Sequence, residues 1–492
     1  MVWVLAPFIA LSWANRVSKH WSSITRVALD WGTLLIALSC LVIYANASLR
    51  PPKAQAASGF IAVPPASWLI IGTFVPFLAL LSGRKTPRPR WIMKSVTLLA
   101  LFVSLTVWAL FALLWLERRS ELALPAPTGP FAVGRVIYVW KDDTNIDTMA
   151  PVPGTKRELL VWIWYPATGE SRPMTDYLPA QVRMPVDRAD ASPLKFLTRD
   201  LSKVLVQSID NADVSPKELN YPVVIMRAGA SASVVNYSTL ATDLASHGYI
   251  VVGFDAPYRT STVVFPDGRV VNRLPQNDPE QLAGQADMTG INKVLVAWTA
   301  DMAFVIDRLE QLNTEPSGKF TGRLDTTRVG VFGHSFGGAQ ALQFCHDDPR
   351  CKAGIDIDGR PLGNVVQEGI RQPFLFVVSA QIHSSDAESR QVKAEIDSIY
   401  RRLPVDGRLF VAIRGANHYT FSDDGAFLKS ALVRQTLRIF GMLKIDGRRQ
   451  VAVTASCLHD FFDAFLKNKS DSRLKISPER YPEIEFIEWR DE

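Results

Sequence analysis

The feature that most constrains the fold is a short motif in the second half of the chain, Gly333-His334-Ser335-Phe336-Gly337, which ends an apolar run that begins at Thr327. A serine with a glycine two positions to either side, between a strand and a helix, is the pattern of a nucleophile elbow. The turn is so tight that only very small residues fit at those two positions. Residues 338–344 favour a helix and would point their free N–H groups toward the serine. The motif therefore predicts a reactive Ser335 at the end of a sheet strand.

Strand-like and helix-like runs alternate on both sides of this motif. Predicted strands lie at 221–226, 249–254, 327–333, 353–358, 373–378 and 408–413, and predicted helices at 236–247, 290–313, 338–344 and 386–402. Two alternating runs at 131–140 and 157–165 indicate an antiparallel pair that opens the sheet. The alternation predicts an α/β fold with a doubly wound, mostly parallel sheet, whose sites lie beyond the C-terminal ends of the strands.

A nucleophilic serine needs a base to take its proton and a carboxylate to orient that base, and in such a fold they follow in the order serine, acid, histidine. Five of the seven histidines lie where structural roles are commoner: His20, His247, His334, His346 and His459. His383 and His418 remain as candidates. His418 follows the last predicted parallel strand in a glycine-bearing loop, where this fold presents its base, and it is the predicted base.

Three aspartates are candidates for the acid. Asp358 ends the strand that follows the elbow helix, so its carboxylate should emerge on the side of the serine. Asp356 lies two residues earlier on the same face but deeper, where an unpartnered ion would be costly. Asp386, beyond the following strand, is the other position that the fold permits. A role as a loop cap is the alternative for Asp358.

The N-terminal region is more apolar than the rest of the chain. Residues 95–116 contain no charge over 22 residues, which as a helix would be about 33 Å long and would cross about 30 Å of hydrocarbon. Residues 67–82 and 27–47 are the next predicted spans. Residues 1–14 form a marginal fourth span rather than a signal peptide. The prediction is a membrane-spanning region of three to four helices ahead of the sheet.

Charge follows the same division into a membrane region, 1–122, and a catalytic domain, 123–492. Residues 1–122 hold 12 Lys/Arg and 3 Asp/Glu, a charge of +9 within a total of +6, so the remainder carries −3. A basic excess confined to membrane flanks predicts no nucleic-acid partner. The positive loops 15–26 and 83–94 should face the cytoplasm. This predicts an integral protein of a bacterial-type cytoplasmic membrane with its catalytic domain on the outer side.

Two of the four cysteines, Cys345 and Cys351, lie six residues apart, between the end of the elbow helix and the next strand. They could form a disulfide in an oxidising compartment. Two half-buried thiols are the alternative. The cysteine spacings do not predict a metal site.

Four separate stretches, 243–251, 333–338, 354–363 and 413–418, resemble the platelet-activating factor acetylhydrolase family of the secreted, lipoprotein-associated type, within the α/β-hydrolases. The resemblance extends over roughly residues 130–440. It implies a triad of Ser335, Asp358 and His418, and oxyanion donors at the backbone N–H groups of Phe336 and Ala230. The histidine of the family's His-Gly pair is replaced here by Ala228, and the membrane-spanning region also departs from the secreted members.

The predicted triad and membrane spans together predict a membrane-anchored serine carboxylester hydrolase, and the resemblance implies that it releases short or oxidised acyl groups from phospholipids. Its expected partners are a lipid or small ester substrate and the bilayer, with no metal and no organic cofactor. A broad short-chain esterase or polyesterase is the nearest alternative. From another class, the chain could be a non-catalytic membrane sensor whose hydrolase domain only binds ligands. The sequence predicts no oligomeric state.

Overall fold

The computed structural model describes residues 2–49, separate positions between 67 and 113, and 115–169, 171–180, 182–183, 199–283, 285, 287–439, 443–468 and 476–487. The chain divides into two compact units. One contains residues 1–120 and 187–200, and the other contains 121–186 and 201–492. The predicted domains differ from this division by two residues at the boundary and by the placement of 187–200.

The second unit is built on strands, which we number in chain order. They are β1 Leu122–Ala123, β2 Ala132–Ile146, β3 Lys156–Ala167, β4 Met174–Asp176, β5 Val204–Gln207, β6 Ile209–Asp210, β7 Tyr221–Arg227, β8 Ile250–Asp255, β9 Thr262–Val264, β10 Val270–Asn272, β11 Leu324–His334, β12 Cys351–Ile357, β13 Phe374–Ser379, β14 Arg408–Ile413 and β15 Ile484–Phe486. Ten of them form one sheet in the order β15-β14-β13-β12-β11-β7-β8-β3-β2-β6. Its pairs are parallel except β2/β3, β3/β8 and β14/β15. The predicted α/β fold with a mostly parallel sheet is confirmed.

The helices are also numbered in chain order. They are α1 Val2–Val17, α2 Ser23–Leu49, α3 Ser238–Ser246, α4 Pro279–Ala283, α5 Thr289–Thr314, α6 Phe336–Asp347, α7 Val365–Glu368, α8 Ala387–Tyr400, α9 Ala431–Ile439 and α10 Gly447–Leu466. Each strand and helix that the sequence predicted within the second unit is present, with its ends displaced by a few residues.

Two hydrophobic cores lie on opposite faces of the large sheet because successive side chains of a strand point to opposite sides. In β3, Trp162 and Trp164 belong to one core, which α3 and α10 cover. Val161 and Ile163 belong to the other, which α5, α6 and α8 cover. Burying one such large apolar side chain contributes about 1.5–3 kcal/mol to the free energy of folding, so the packing on both faces stabilises the sheet.

The order of the central strands determines where polar side chains meet. β11 lies between β7 and β12, and β14 is the third strand from β11, beyond β12 and β13. These strands are parallel, so their C-terminal ends reach the same edge of the sheet. The segments that follow β7, β11, β12 and β14 therefore come together there.

Several short strands, β6 among them, were not predicted, and neither were the helices α4, α7 and α9. β15 adds an antiparallel edge to β14, β9 and β10 form a hairpin, and β1, β5 and β4 form a separate three-stranded sheet. Each contains strands of two to four residues. Segments this short carry no readable periodicity, and they are strands because of their pairing partners.

A disulfide joins Cys345, near the end of α6, to Cys351, the first residue of β12. Both residues are buried. Of the two states that the sequence left open, the structure has the disulfide.

Most of the described part of the first unit is helical. α2 has 27 residues, about 40 Å along its axis, and its segment Ser23–Cys40 is long and apolar enough to cross a membrane. Ile24, Trp31 and Leu35 are exposed on it, as on a lipid-facing surface. α5 passes the same test of length and composition, but it is mostly buried as a core helix of the second unit. These two helices are the candidate membrane spans among the described residues.

The other predicted spans are described only in part. Residues 2–14 of the first predicted span lie within α1, and the predicted span 27–47 lies within α2. Residues 67 and 70–78 are helical, but the rest of 67–82 and most of 95–116 lie outside the described residues. The number of crossings stays a prediction.

Candidate active site

Ser335 stands at a sharp turn between β11 and α6. Its backbone φ is 58° and ψ is −124°, a left-handed conformation that is strained for a residue with a side chain. A β-carbon at Gly333 would lie 2.0 Å from the carbonyl oxygen of Gly337, and one at Gly337 would lie 2.6 Å from that of Ala228. Only glycine fits at either position. The elbow geometry that the motif indicated is present.

The structure brings Ser335, His418 and Asp358 into one hydrogen-bonded chain. Oγ of Ser335 lies 3.0 Å from Nε2 of His418, and Nδ1 of His418 lies 2.8 Å from Oδ2 of Asp358. An ionised carboxylate can only accept, so Nδ1 carries the proton and Nε2 presents its lone pair to the serine hydroxyl. This is the arrangement in which the imidazole can take a proton from Ser335.

Asp358 is held as an ion at the end of β12. Burial alone would raise its pKa, but the hydrogen bond from His418, the charge of His418 and the N–H of Ser379 together lower the pKa below its usual value. That N–H donates to Oδ1 at 2.6 Å. Asp358 has a φ of 53°, and this turn directs its carboxylate along the sheet edge toward the histidine.

His418 begins a short 3-10 helix, His418–Phe421, which follows β14 after the loop 414–417. Oδ1 of Asn417 accepts the N–H groups of Tyr419 and Thr420 at 3.0 and 3.2 Å, and Nε2 of Gln450 donates to the Asn417 carbonyl at 3.1 Å. The loop that carries the histidine is therefore fixed by a cap and by α10.

The other aspartate beyond a strand, Asp386, has a different role. It is the N-cap of α8, where its Oδ1 accepts the N–H of Ser389 at 2.9 Å and its Oδ2 accepts the Ser389 hydroxyl at 2.8 Å. A hydrogen bond from the Ser384 hydroxyl, and after it these two from Ser389, lower the pKa of Asp386. His383 ends the 3-10 helix Ala380–His383, and its side chain lies outside the described residues.

Asp356 is buried beneath the turn that carries Asp358. Its Oδ1 accepts the N–H of Gly359 at 2.9 Å, and its Oδ2 has no partner among the described residues. Burial raises the pKa of Asp356 well above its usual value, so the group is held as a neutral acid. β-Carbons at Gly338 and Gly359 would lie 1.7 and 2.3 Å from the same Oδ1, so both residues are needed to accommodate the carboxyl.

The two residues expected to supply the oxyanion donors, Phe336 and Ala230, line the same cavity as Ser335 and His418. The backbone N–H groups of Phe336 and Ala230 donate to no other group in the described part of the chain. Phe336 is the first residue of α6, so its N–H lies at the positive end of the helix dipole. The Arg273 guanidinium donates to the Ala230 carbonyl and holds the segment after β7 in place.

A cavity of about 600 Å³ opens in front of these groups. Ser335, His418, Phe336 and Ala230 lie in its wall. Its remaining lining is largely apolar and includes Met288, Ile291, Leu362, Val378, Ile382 and Val392. Arg360 also lines it, but its guanidinium is held by both carboxylate oxygens of Glu395 at 2.9 and 2.8 Å. The cavity thus offers an apolar wall next to the serine, and the acidic residues Glu280 and Glu388 also line it.

A separate cluster outside this site, Asp243, His247 and His459, has ligand atoms within 4.8 Å of one another. The two imidazole rings are stacked, with centroids 4.1 Å apart and planes 16° apart. A metal binds an imidazole in the plane of its ring, so one ion could not lie in both planes. His459 instead pairs with Asp243 at 3.2 Å and with Asp460 at 3.0 Å, and the cluster is an ion-pair network. Burial lowers the pKa of His459, but these two carboxylates raise it to about 9.

The chain matches the family model for platelet-activating factor acetylhydrolase, isoform II, over residues 117–263 and 311–475. A probable 1-alkyl-2-acetylglycerophosphocholine esterase of Arthroderma benhamiae is 25% identical over 398 residues, 75% of this chain and 95% of that protein. The platelet-activating factor acetylhydrolase of Cavia porcellus is 25% identical over 363 residues, 68% of this chain and 78% of that protein. A ferulic acid esterase from Streptomyces cinnamoneus is similar in structure, with a TM-score of 0.60 and 25% identity, covering 75% of this chain and 100% of that one.

Proposed function

Because the chain belongs to the platelet-activating factor acetylhydrolase isoform II family and is a carboxylic ester hydrolase, we propose that Ser335, His418 and Asp358 are its catalytic triad. The observation that carries this proposal is the hydrogen-bonded chain from Ser335 Oγ through His418 to Asp358, which opens onto the cavity. A protein that only bound ligands would have no need of this order of groups.

In the proposed mechanism, Oγ of Ser335 attacks the ester carbonyl carbon while its proton moves to Nε2 of His418. Negative charge develops on the carbonyl oxygen, and the N–H groups of Phe336 and Ala230 stabilise it. Asp358 stabilises the imidazolium without taking its proton. Collapse of the tetrahedral intermediate releases the alcohol, which receives the proton from His418. Water then attacks the acyl-enzyme by the same steps and regenerates the serine.

The proposed substrates are phospholipids with a short or oxidised acyl group, of the 1-alkyl-2-acetylglycerophosphocholine type. Two of the matched relatives bear the names of such esterases. The apolar wall beside Ser335 fits an acyl group, and the cavity is open enough for a larger alcohol portion. A broader short-chain esterase or polyesterase is the second candidate, which the similarity to a ferulic acid esterase favours.

Assays of the purified full chain with a panel of esters distinguish the phospholipid esterase from the broader short-chain esterase. Phosphatidylcholine analogues with a 2-acetyl, 2-glutaryl or 2-palmitoyl group would be compared with methyl ferulate. We expect kcat/KM for the acetyl lipid to exceed that for the palmitoyl lipid and methyl ferulate by about 100-fold or more, because the reacting carbonyl must reach Ser335 within a bounded pocket. Faster turnover of methyl ferulate would favour the broader esterase, and no turnover of any ester would contradict the triad assignment.

We also propose that the N-terminal helices anchor the protein in a membrane with the second unit outside the cytoplasm. The apolar length and exposed surface of α2 and the Cys345–Cys351 disulfide support this. So do the positive charges of segment 15–26, which in the structure contains the end of α1 and the start of α2.

A reporter that is active only outside the cytoplasm, fused after residue 122, should be active in this topology. Mass mapping of non-reduced protein should find Cys345 joined to Cys351, whereas Cys40 and Cys457, which are free, should become alkylated after denaturation and serve as the control. An inactive reporter together with alkylation of all four cysteines would place the second unit in the cytoplasm.

A further inference from the structure

A buried tyrosine and histidine connect the two halves of the site. Tyr237 Oη lies 2.7 Å from Nδ1 of His334, and Nε2 of His334 lies 2.9 Å from the carbonyl oxygen of His418. The N–H of Gly229, which precedes Ala230, donates to the same Tyr237 oxygen at 3.2 Å. Tyr237 is 1% exposed and His334 5% exposed, so water does not compete for these bonds.

The positions of the protons in this series of hydrogen bonds follow from the groups at its two ends. The His418 carbonyl can only accept, so Nε2 of His334 carries the ring proton and Nδ1 is left with a lone pair. The Tyr237 hydroxyl must then donate to Nδ1, and its oxygen is free to accept from Gly229. Burial first, and then the nearby His418, lower the pKa of His334 to about 3, so the ring stays neutral at ordinary pH.

We propose that Tyr237 and His334 are positioning residues that set the oxyanion segment and the general base in one fixed relation to Ser335. This inference rests on the proposed triad. One end of the pair holds Gly229, next to the proposed donor Ala230, and the other holds the backbone of His418. His334 itself immediately precedes the nucleophile, and its ring centroid lies 4.7 Å from that of His418. The sequence assigned His334 to packing and did not single out Tyr237.

The chain offers a matched control in Tyr177. It is also a fully buried tyrosine, and its hydroxyl lies 2.7 Å from the Val235 carbonyl and 3.0 Å from the Asp423 carboxylate. It supports the same region ahead of α3 but bonds to no member of the proposed triad and to no proposed oxyanion donor. Tyr177→Phe and Tyr237→Phe therefore remove the same atom from similar surroundings, and only the second breaks the connection.

The test compares kcat, KM and the affinity for a short-chain trifluoromethyl ketone, which forms a tetrahedral adduct with the serine. For Tyr237→Phe we expect kcat to fall by about 10- to 100-fold and KM to change by less than about 2-fold. The inhibitor should weaken in parallel with kcat/KM, because its adduct needs both the base and the oxyanion donors. For Tyr177→Phe, kcat and inhibitor affinity should stay within about 2-fold of the wild-type values, even if its melting temperature falls as much as that of Tyr237→Phe.

Equal effects of the two substitutions on kcat, or an unchanged kcat for Tyr237→Phe, would overturn the proposal. If Tyr237→Phe does not fold, His334→Asn serves instead. It removes the ring N–H that donates to the His418 carbonyl but keeps a polar group near Tyr237. An unchanged kcat for His334→Asn would equally overturn the proposal. Ser335→Ala is measured in parallel. An active Ser335→Ala would show that the triad assignment has failed, whereas an inactive one beside a fully active Tyr237→Phe would show that only the positioning inference has failed.

Discussion

Replacing Ser335 with alanine is expected to lower kcat for a short aryl ester by at least about a thousandfold. The substitution removes the only atom that can form the acyl-enzyme. It keeps the β-carbon at the strained elbow, so the fold and the cavity should be unchanged. The residual rate would come from binding and the oxyanion donors alone.

The measurement is steady-state hydrolysis together with labelling by a fluorophosphonate, which reacts with activated serines. Ser335→Ala should not be labelled. Ser398→Ala is the control, because Ser398 lies on α8 and its hydroxyl donates to the Val366 carbonyl. Retention of more than about a tenth of the wild-type kcat by Ser335→Ala would rule out this serine as the nucleophile.

The second large effect is expected for Asp358→Asn, which should lower kcat by about four orders of magnitude. The N–H of Ser379 donates to Oδ1, so the new amide would keep its oxygen there and turn its NH2 group toward His418. Nδ1 of His418 would then have to accept, and Nε2 would carry the proton toward Ser335. A histidine in that tautomer cannot take the proton of the serine hydroxyl.

Two neighbouring aspartates provide the controls. Asp386→Asn should leave kcat within about 2-fold, because asparagine caps a helix as well as aspartate does. Asp356→Asn should also keep most of the activity, since the carboxyl it replaces is already neutral and of the same shape. If Asp386→Asn lost activity and Asp358→Asn did not, the acid would lie after β13 rather than after β12.

The parts of the site that could be predicted are those with a local cause. The elbow follows from two glycines flanking a serine, and Asp358 and His418 follow from the ends of readable strands. The pair of Tyr237 and His334 could not be predicted, because it joins residues 97 positions apart by a side-chain hydrogen bond that leaves no spacing pattern.

The partners that decide the protonation of the two aspartates at the end of β12 could not be predicted from the sequence either. Asp356 and Asp358 are two positions apart in the same segment, and both are buried. They differ because His418 and the Ser379 N–H face only one of them. Those partners come from the 3-10 helix that follows β14 and from the end of β13, so the difference depends on how the sheet is assembled.

The carboxyl of Asp356 also limits how this site can change during evolution. Since any β-carbon at Gly338 or Gly359 would overlap with its Oδ1, a mutation at either glycine is excluded while the aspartate is present. Position 356 must lose its side-chain bulk before Gly338 can vary, whereas Gly359 stays constrained because a β-carbon there would also lie 2.5 Å from the carbonyl oxygen of Ser335. Lineages that share Asp356 should therefore share both glycines, and in lineages that have lost it a new side chain can appear at position 338, beside the elbow.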